Sequence, residues 1–178
     1  MAILSKEEII RALERLGQLA QAQGYEIELI MVGGAAMVLA YGARQSTHDV
    51  DVVILKPREA RMTRELAKNV ARELDWNEDW LNDAAKGYMV GMSKGQVLLS
   101  TQGIEVRAPA VEQLLAMKLS AWRDDVDISD ARRLLEELAR TGVRDQIWQK
   151  VEPYLVRGDE LKAHYAFQDL WESLYGDR

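Results

Sequence analysis

The chain has 178 residues, a formal net charge of −6 and no cysteine. That length suits one domain, or one domain with a helical appendage, and buries enough surface for folding without a metal or disulfide. The acidic balance excludes broad binding of nucleic acid through phosphate contacts, while the lack of cysteine excludes disulfides and thiolate metal sites and suits a reducing compartment. The start, Met1 to Glu8, lacks a basic segment leading into an apolar one, so no signal peptide is expected. No run of about 18 apolar residues occurs that would span a membrane. A cytoplasmic location is expected.

Ser5-Lys6-Glu7-Glu8 is a capping box, and Ile9, Leu13, Leu16, Leu19 and Ala20 follow it at helical spacing up to a stop at Gly24. Ile27, Leu29 and Met31 alternate with Glu26, Glu28 and Ile30, which predicts a strand, and Gly33-Gly34 breaks it. Residues 35–41 read as a short helix closed by Gly42, and the β-branched run 50–55 as a second, mostly buried strand. Pro57 suits the first turn of a helix reaching Leu74. On that helix Arg58, Arg61, Arg64 and Lys68 share one face, either a solvated face or a local basic stripe. The spacing predicts a short helix or packed loop over 75–86. Two or three short strands are expected over 87–106, with turns near Ser93-Lys94-Gly95 and Thr101-Gln102-Gly103. Helices are expected over 110–122, 127–140, 144–155 and 158–174. With strands confined to the first 107 residues, the fold class is α+β. Residues 1–107 form an α/β core with an N-terminal helix, and 108–178 a helical C-terminal part packed on it as one compact unit.

Asp49 and Asp51 flank Val50 on a strand, so both carboxylates leave the same face. Two carboxylates so close repel unless a cation neutralises them, and hard oxygen ligands suit Mg²⁺ sharing its shell with phosphate and water. A plainer alternative places one of them in solvent or on a turn. Gly33-Gly34 sits between a strand and a helix, where missing side chains let a phosphate approach backbone N–H groups. Between the motifs, Arg44 can hold a phosphate or form a surface ion pair, and Thr47 can fix the loop. Lys118 interrupts the apolar helix around Leu114-Leu115-Ala116-Met117, so it lies at the helix edge or is buried with a carboxylate such as Asp127 or Asp130. A structural tie and a catalytic pair look alike at this level. The tryptophans read as packing residues, His48 as a strand-end surface histidine and His164 as structural. No Ser/His/Asp set stands out.

In their order, Gly33-Gly34, Arg44, Thr47 and Asp49-Val50-Asp51 resemble the nucleotidyltransferase superfamily, with its glycine pair on a strand-to-helix turn and Asp-x-Asp on the next strand. Two further segments look like the bacterial branch around the AbiEii-type toxins and their uncharacterised relatives. One is Trp80-Leu81-Asn82-Asp83. The other is the helix carrying Lys118, followed by Asp127 and Asp130. The resemblance covers about residues 28–140. It implies a nucleotidyltransferase-like mixed sheet flanked by helices, Asp49 and Asp51 on Mg²⁺ or Mn²⁺, and Gly33-Gly34 on the triphosphate. Lys118 would neutralise phosphate charge or orient the nucleotide, and Asp127 or Asp130 would add a carboxylate. Glu105, on a late strand, is a candidate for a third metal carboxylate, or else a solvent-facing glutamate. The implied reaction moves a nucleotide from a nucleoside triphosphate to a hydroxyl on an RNA end, a protein or a small molecule. The chain would then be a toxin–antitoxin component, with a cognate toxin or antitoxin protein as partner. The alternatives are a catalytically weak or inactive member acting as an antitoxin-like binding or regulatory protein, and an unrelated α+β protein with an incidental Asp-x-Asp.

Overall fold

The computed structural model describes residues 3–83, 89–123 and 125–176. The chain divides into two compact units, one of Met1–Gly87 with Lys94–Pro109 and one of Tyr88–Ser93 with Ala110–Arg178. The first unit opens with β1 (Leu4–Ser5) and α1 (Lys6–Ala22). The capping box is formed: the Ser5 amide donates to Glu8 Oε2 at 2.8 Å and the Glu8 amide to Ser5 Oγ at 3.4 Å. The chain then forms β2 (Ile27–Val32), the helical turn α2 (Gly33–Ala36) and a π-helical turn, Met37–Tyr41, which Gly42 closes in a left-handed conformation. Next come β3 (Ser46–Thr47), β4 (Val50–Lys56), α3 (Ala60–Leu74), β5 (Leu81–Asn82), β6 (Val97–Thr101) and β7 (Ile104–Arg107).

Five strands make one mixed sheet in the order β5-β4-β2-β7-β6, with β4 antiparallel to β2, β7 parallel to β2 and β5 parallel to β4. Its core is the apolar set the alternation marks, including Leu29, Met31, Val50, Val52, Ile104 and Val106, covered by Leu13 and Leu16 of α1 and Leu66 and Val70 of α3. This is the expected α+β arrangement of a mixed sheet flanked by helices. Two local expectations fail. Pro57 lies before its helix, which starts at Ala60 with Glu59 as N-cap. The stretch expected as a short helix or loop instead carries β5, because the Val50 amide donates to the Trp80 carbonyl at 2.7 Å and starts an edge pairing that no local pattern announces. Residues 84–86 of that stretch lie outside the described residues. On α3, Arg64 pairs with Asp83 and Lys68 with Glu65, so these two belong to a solvated, ion-paired face.

The second unit holds α4 (Val111–Ala121), α5 (Asp125–Ala139), α6 (Arg144–Val151) running into a 3₁₀ turn at Glu152–Tyr154, and α7 (Glu160–Tyr175). Leu115, Leu119, Leu134, Leu135, Phe167 and Leu170 fill its core. Trp148 packs against His164 and Phe167, with ring centres 4.7 and 5.2 Å apart, and His164 meets Gln168 at 3.0 Å, which makes this aromatic group a packing feature. Among the described residues no helix is long and apolar enough to cross a membrane.

One close approach fixes α1 on the sheet. A Cβ at Gly17 would stand 2.5 Å from Ile104 Cγ2 and 2.7 Å from the Gln102 carbonyl oxygen. Gly103, at φ +80°, closes the β6–β7 turn directly over the Gly17 carbonyl. Alanine in a helix interior ordinarily gains up to about 1 kcal/mol over glycine. Here Gly17→Ala is expected to reverse that sign and destabilise by about 1–3 kcal/mol through overpacking, read as a lower urea midpoint at unchanged slope.

Candidate functional site

In the first unit the antiparallel register sets Asp51 directly opposite Val32, the residue before the glycine pair. The turn from β2 into α2 therefore passes over the Asp51 carboxylate. Gly33 takes φ +63°, and a Cβ there would stand 2.7 Å from Asp51 Oδ2. The backbone conformation requires glycine at this position, and any Cβ there would also displace the Asp51 carboxylate. Its neighbour is constrained by other groups: a Cβ at Gly34 would stand 2.6 Å from Thr47 Oγ1 and 3.1 Å from Arg44 Nη1. Val32 at the N-cap supplies no side-chain cap to the helical turn that follows. At two successive residues of that turn the missing Cβ atoms leave room that Asp51, Thr47 and Arg44 occupy.

Thr47 is buried at 7% exposure, and its Oγ1 donates to the Asp49 carbonyl at 3.2 Å. It is held from outside the site. In the small two-stranded sheet Leu4 pairs with Thr47 and Ser5 with Ser46, and Leu4 is itself buried. The residue that caps α1 thus also braces the loop between the two motifs. Asp49 and Asp51 are both half-buried, Asp49 just before β4 and Asp51 as its second residue. The structure accordingly brings Gly33, Gly34, Arg44, Thr47 and Asp51 into one locality, to which Asp49 is tied through its backbone carbonyl. His48 is exposed.

Glu105 is not part of this locality. The parallel pairing of β2 and β7 sets it beside Glu28, at the start of β2, whereas Asp51 lies beside the last residue of that strand. Its carboxylate accepts from Arg107 Nε at 2.7 Å. Strand register, which the sequence does not display, separates the two. Among the described residues no group of three or more His, Cys, Asp or Glu could hold a metal ion. Two hard carboxylates still suit Mg²⁺ or Mn²⁺ where phosphate and water complete the shell.

The other expected site residues lie in the second unit, where they form a buried cluster. Lys118, in the last turn of α4, places its ammonium 3.1 Å from Asp127 Oδ1 and 2.7 Å from Asp130 Oδ2, both near the start of α5. All three are nearly inaccessible. A cation at a helix C-terminus and carboxylates at the next N-terminus also complement both helix dipoles. Burial pushes the Asp127 carboxyl up, but the bond and charge of Lys118, joined by the amide and side chain of Arg123, hold it below its ordinary range. Asn82 stands in the Trp80–Asp83 segment that the sequence marks without assigning it to the site. Its register partner is Asp51.

A family model described as "Nucleotidyltransferase of unknown function (DUF6036)" matches residues 7–168. No curated protein and no solved structure matches the chain.

Replacing Lys118 leaves two buried carboxylates uncompensated, and Lys118→Met is expected to destabilise by about 3–5 kcal/mol. The lowered Asp127 carboxyl contributes stability that is present above the ordinary carboxylate range near about pH 4 and lost as pH falls through its depressed folded value. Without Lys118 that value rises, so Lys118→Met is also expected to lose stability at higher pH than the wild type. Melting temperature followed from pH 3 to 7 reads both effects.

Proposed function

We propose, from the premise that this chain belongs to the DUF6036 family of nucleotidyltransferases, that it moves a nucleotide from a nucleoside triphosphate to an acceptor hydroxyl at the cradle of Gly33, Gly34, Arg44, Thr47, Asp49 and Asp51. The observation that carries this is the 2.7 Å between a Cβ built on Gly33 and the Asp51 carboxylate, which supports the glycine turn and the acidic strand acting as one site. The nearness of Arg44 to the same turn adds charge complementary to a triphosphate.

In the reaction the acceptor oxygen attacks the α-phosphorus. A P–O bond forms to the acceptor, the bond to the bridging α–β oxygen breaks with its electron pair leaving on pyrophosphate, and the acceptor proton passes to solvent. Asp49 and Asp51 would hold a divalent cation, Mg²⁺ or Mn²⁺, that neutralises phosphate charge and acidifies the hydroxyl. The chain's own share is positional. The glycine turn admits the phosphates to backbone N–H groups, Arg44 fixes their orientation, and Thr47 keeps the loop in place through the Asp49 carbonyl. Holding reactants in line is worth about 7–11 kcal/mol of barrier.

We also propose the AbiEii-like branch, and with it a toxin–antitoxin role, on the strength of Trp80-Leu81-Asn82-Asp83 and the Lys118 helix. Growth arrest on expression, relieved by Asp51→Ala, would support a toxin. One observation favours a second reading: with no third carboxylate among the described residues, the chain could bind nucleotide or a cognate protein with little or no turnover.

Calorimetric titration of the four nucleoside triphosphates, with and without Mg²⁺, tests the site. Wild type is expected to bind at least one of them in a Mg²⁺-dependent way, and Asp49→Ala or Asp51→Ala to weaken that binding by at least about tenfold while keeping the fold. A folded wild type that binds none of the four, or an Asp51→Ala protein that binds as wild type does, would overturn the assignment.

A further inference from the structure

β5 contributes only two residues to the sheet, and its parallel register sets Val50 beside Leu81 and Asp51 beside Asn82. Residues in register on neighbouring strands leave the same face, with the strands roughly 4.8 Å apart. Burial agrees with that assignment. Val50 and Leu81 are both buried, while Asp51 and Asn82 are both half-buried. The Asn82 side chain therefore leaves the same face as that of Asp51, one strand over on the side away from β2.

The strand is anchored on both sides of Asn82. Before it, the Trp80 carbonyl accepts the Val50 amide at 2.7 Å, and Trp80 Nε1 donates to the Ala67 carbonyl at 2.9 Å from a buried ring. After it, Asp83 is gripped by the Arg64 guanidinium, whose Nε donates to Oδ1 at 3.2 Å. The four residues Trp80 to Asp83 could not float here without losing those bonds, so Asn82 is a preorganised neighbour of Asp51.

We propose that Asn82 is a neutral oxygen donor to the cation held by Asp49 and Asp51, occupying the position where a third carboxylate would add another negative charge. Its side-chain carbonyl is a hard ligand of the kind Mg²⁺ and Mn²⁺ accept, directly or through a bound water, and its amide N–H groups can donate to a phosphate oxygen. The charge balance follows. Two carboxylates balance one divalent cation, whereas a third would leave excess negative charge facing a triphosphate or draw in a second cation. Asn82 thereby sets the site to one cation per chain. This rests on Asp49 and Asp51 being the cation ligands.

Mn²⁺ alone, titrated calorimetrically and by electron paramagnetic resonance into the full chain without nucleotide, tests it on wild type, Asp51→Asn, Asn82→Ala and Asn82→Asp. Wild type is expected to bind one Mn²⁺ and Asp51→Asn to lose it. Asn82→Ala is expected to bind about 10–100-fold more weakly at an unchanged circular dichroism spectrum, with Asn82→Ser measured instead should the alanine variant not fold. Asn82→Asp is expected to bind more tightly or to take a second ion, a gain that no structural lesion gives. Asn82→Ala binding as wild type does, while Asp51→Asn fails to bind, would overturn the role of Asn82 and leave the Asp49/Asp51 site standing. Asn82→Asp binding no more tightly and taking no second ion would overturn it as well. A wild type that binds no Mn²⁺ would overturn both.

Discussion

The antiparallel pairing of β2 and β4 places Asp51 opposite Val32, so whatever follows Val32 must pass over a carboxylate. A side chain at that point would collide with Asp51 Oδ2, and the backbone there turns at a positive φ that few residues other than glycine adopt. The remaining features of the site follow from this contact. Gly34 lies close to Thr47 and Arg44, which draws in the loop between the motifs, and that loop is paired in turn with Leu4 and Ser5. The capping box of α1, a local device at the start of the chain, so contributes to the order of the loop between the two motifs.

Two acidic pairs, Asp127/Asp130 and Asp49/Asp51, show how differently burial treats similar side chains. Asp127 and Asp130 are almost fully buried, and both accept the Lys118 ammonium across the junction of two helices. There the pairing satisfies groups that would be costly to bury alone, and its measurable consequence is stability. Asp49 and Asp51 sit half-buried at the start of a strand, and Asp51 reaches a turn without side chains. Carboxylates that keep solvent access can exchange water for a cation and phosphate, which those of the helical junction cannot do without opening it.

Much of this was legible because it is encoded locally. The capping box needs residues three apart, the Asp49/Asp51 face needs residues two apart, and the strand–glycine–helix order is contiguous. What the sequence hid depends on strand register. Glu105 alternates with apolar neighbours as a site residue might, yet the β2–β7 pairing carries it to the other end of the sheet, beside Glu28 and bonded to Arg107. Asn82 has the converse history. Nothing in Leu81-Asn82 has the length or alternation of a strand, and only the distant partners Val50, Ala67 and Arg64 make it one. Pro57 misled for a similar reason, since a proline suits positions both inside and before a helix start, and here the helix waits until Ala60.

Nucleotidyl transfer has a signature that separates it from phosphoryl transfer and from simple binding: the phosphorus that moves is the α-phosphorus. Supplying the protein and Mg²⁺ with nucleoside triphosphates carrying ³²P at either the α or the γ position, in an extract that offers RNA, protein and small-molecule acceptors, reads this directly. Nucleotidyl transfer at this site is expected to attach α-label, but not γ-label, to an acceptor, and Asp51→Ala to abolish the transfer. Transfer of the γ-label, or α-label transfer that persists in Asp51→Ala, would contradict it.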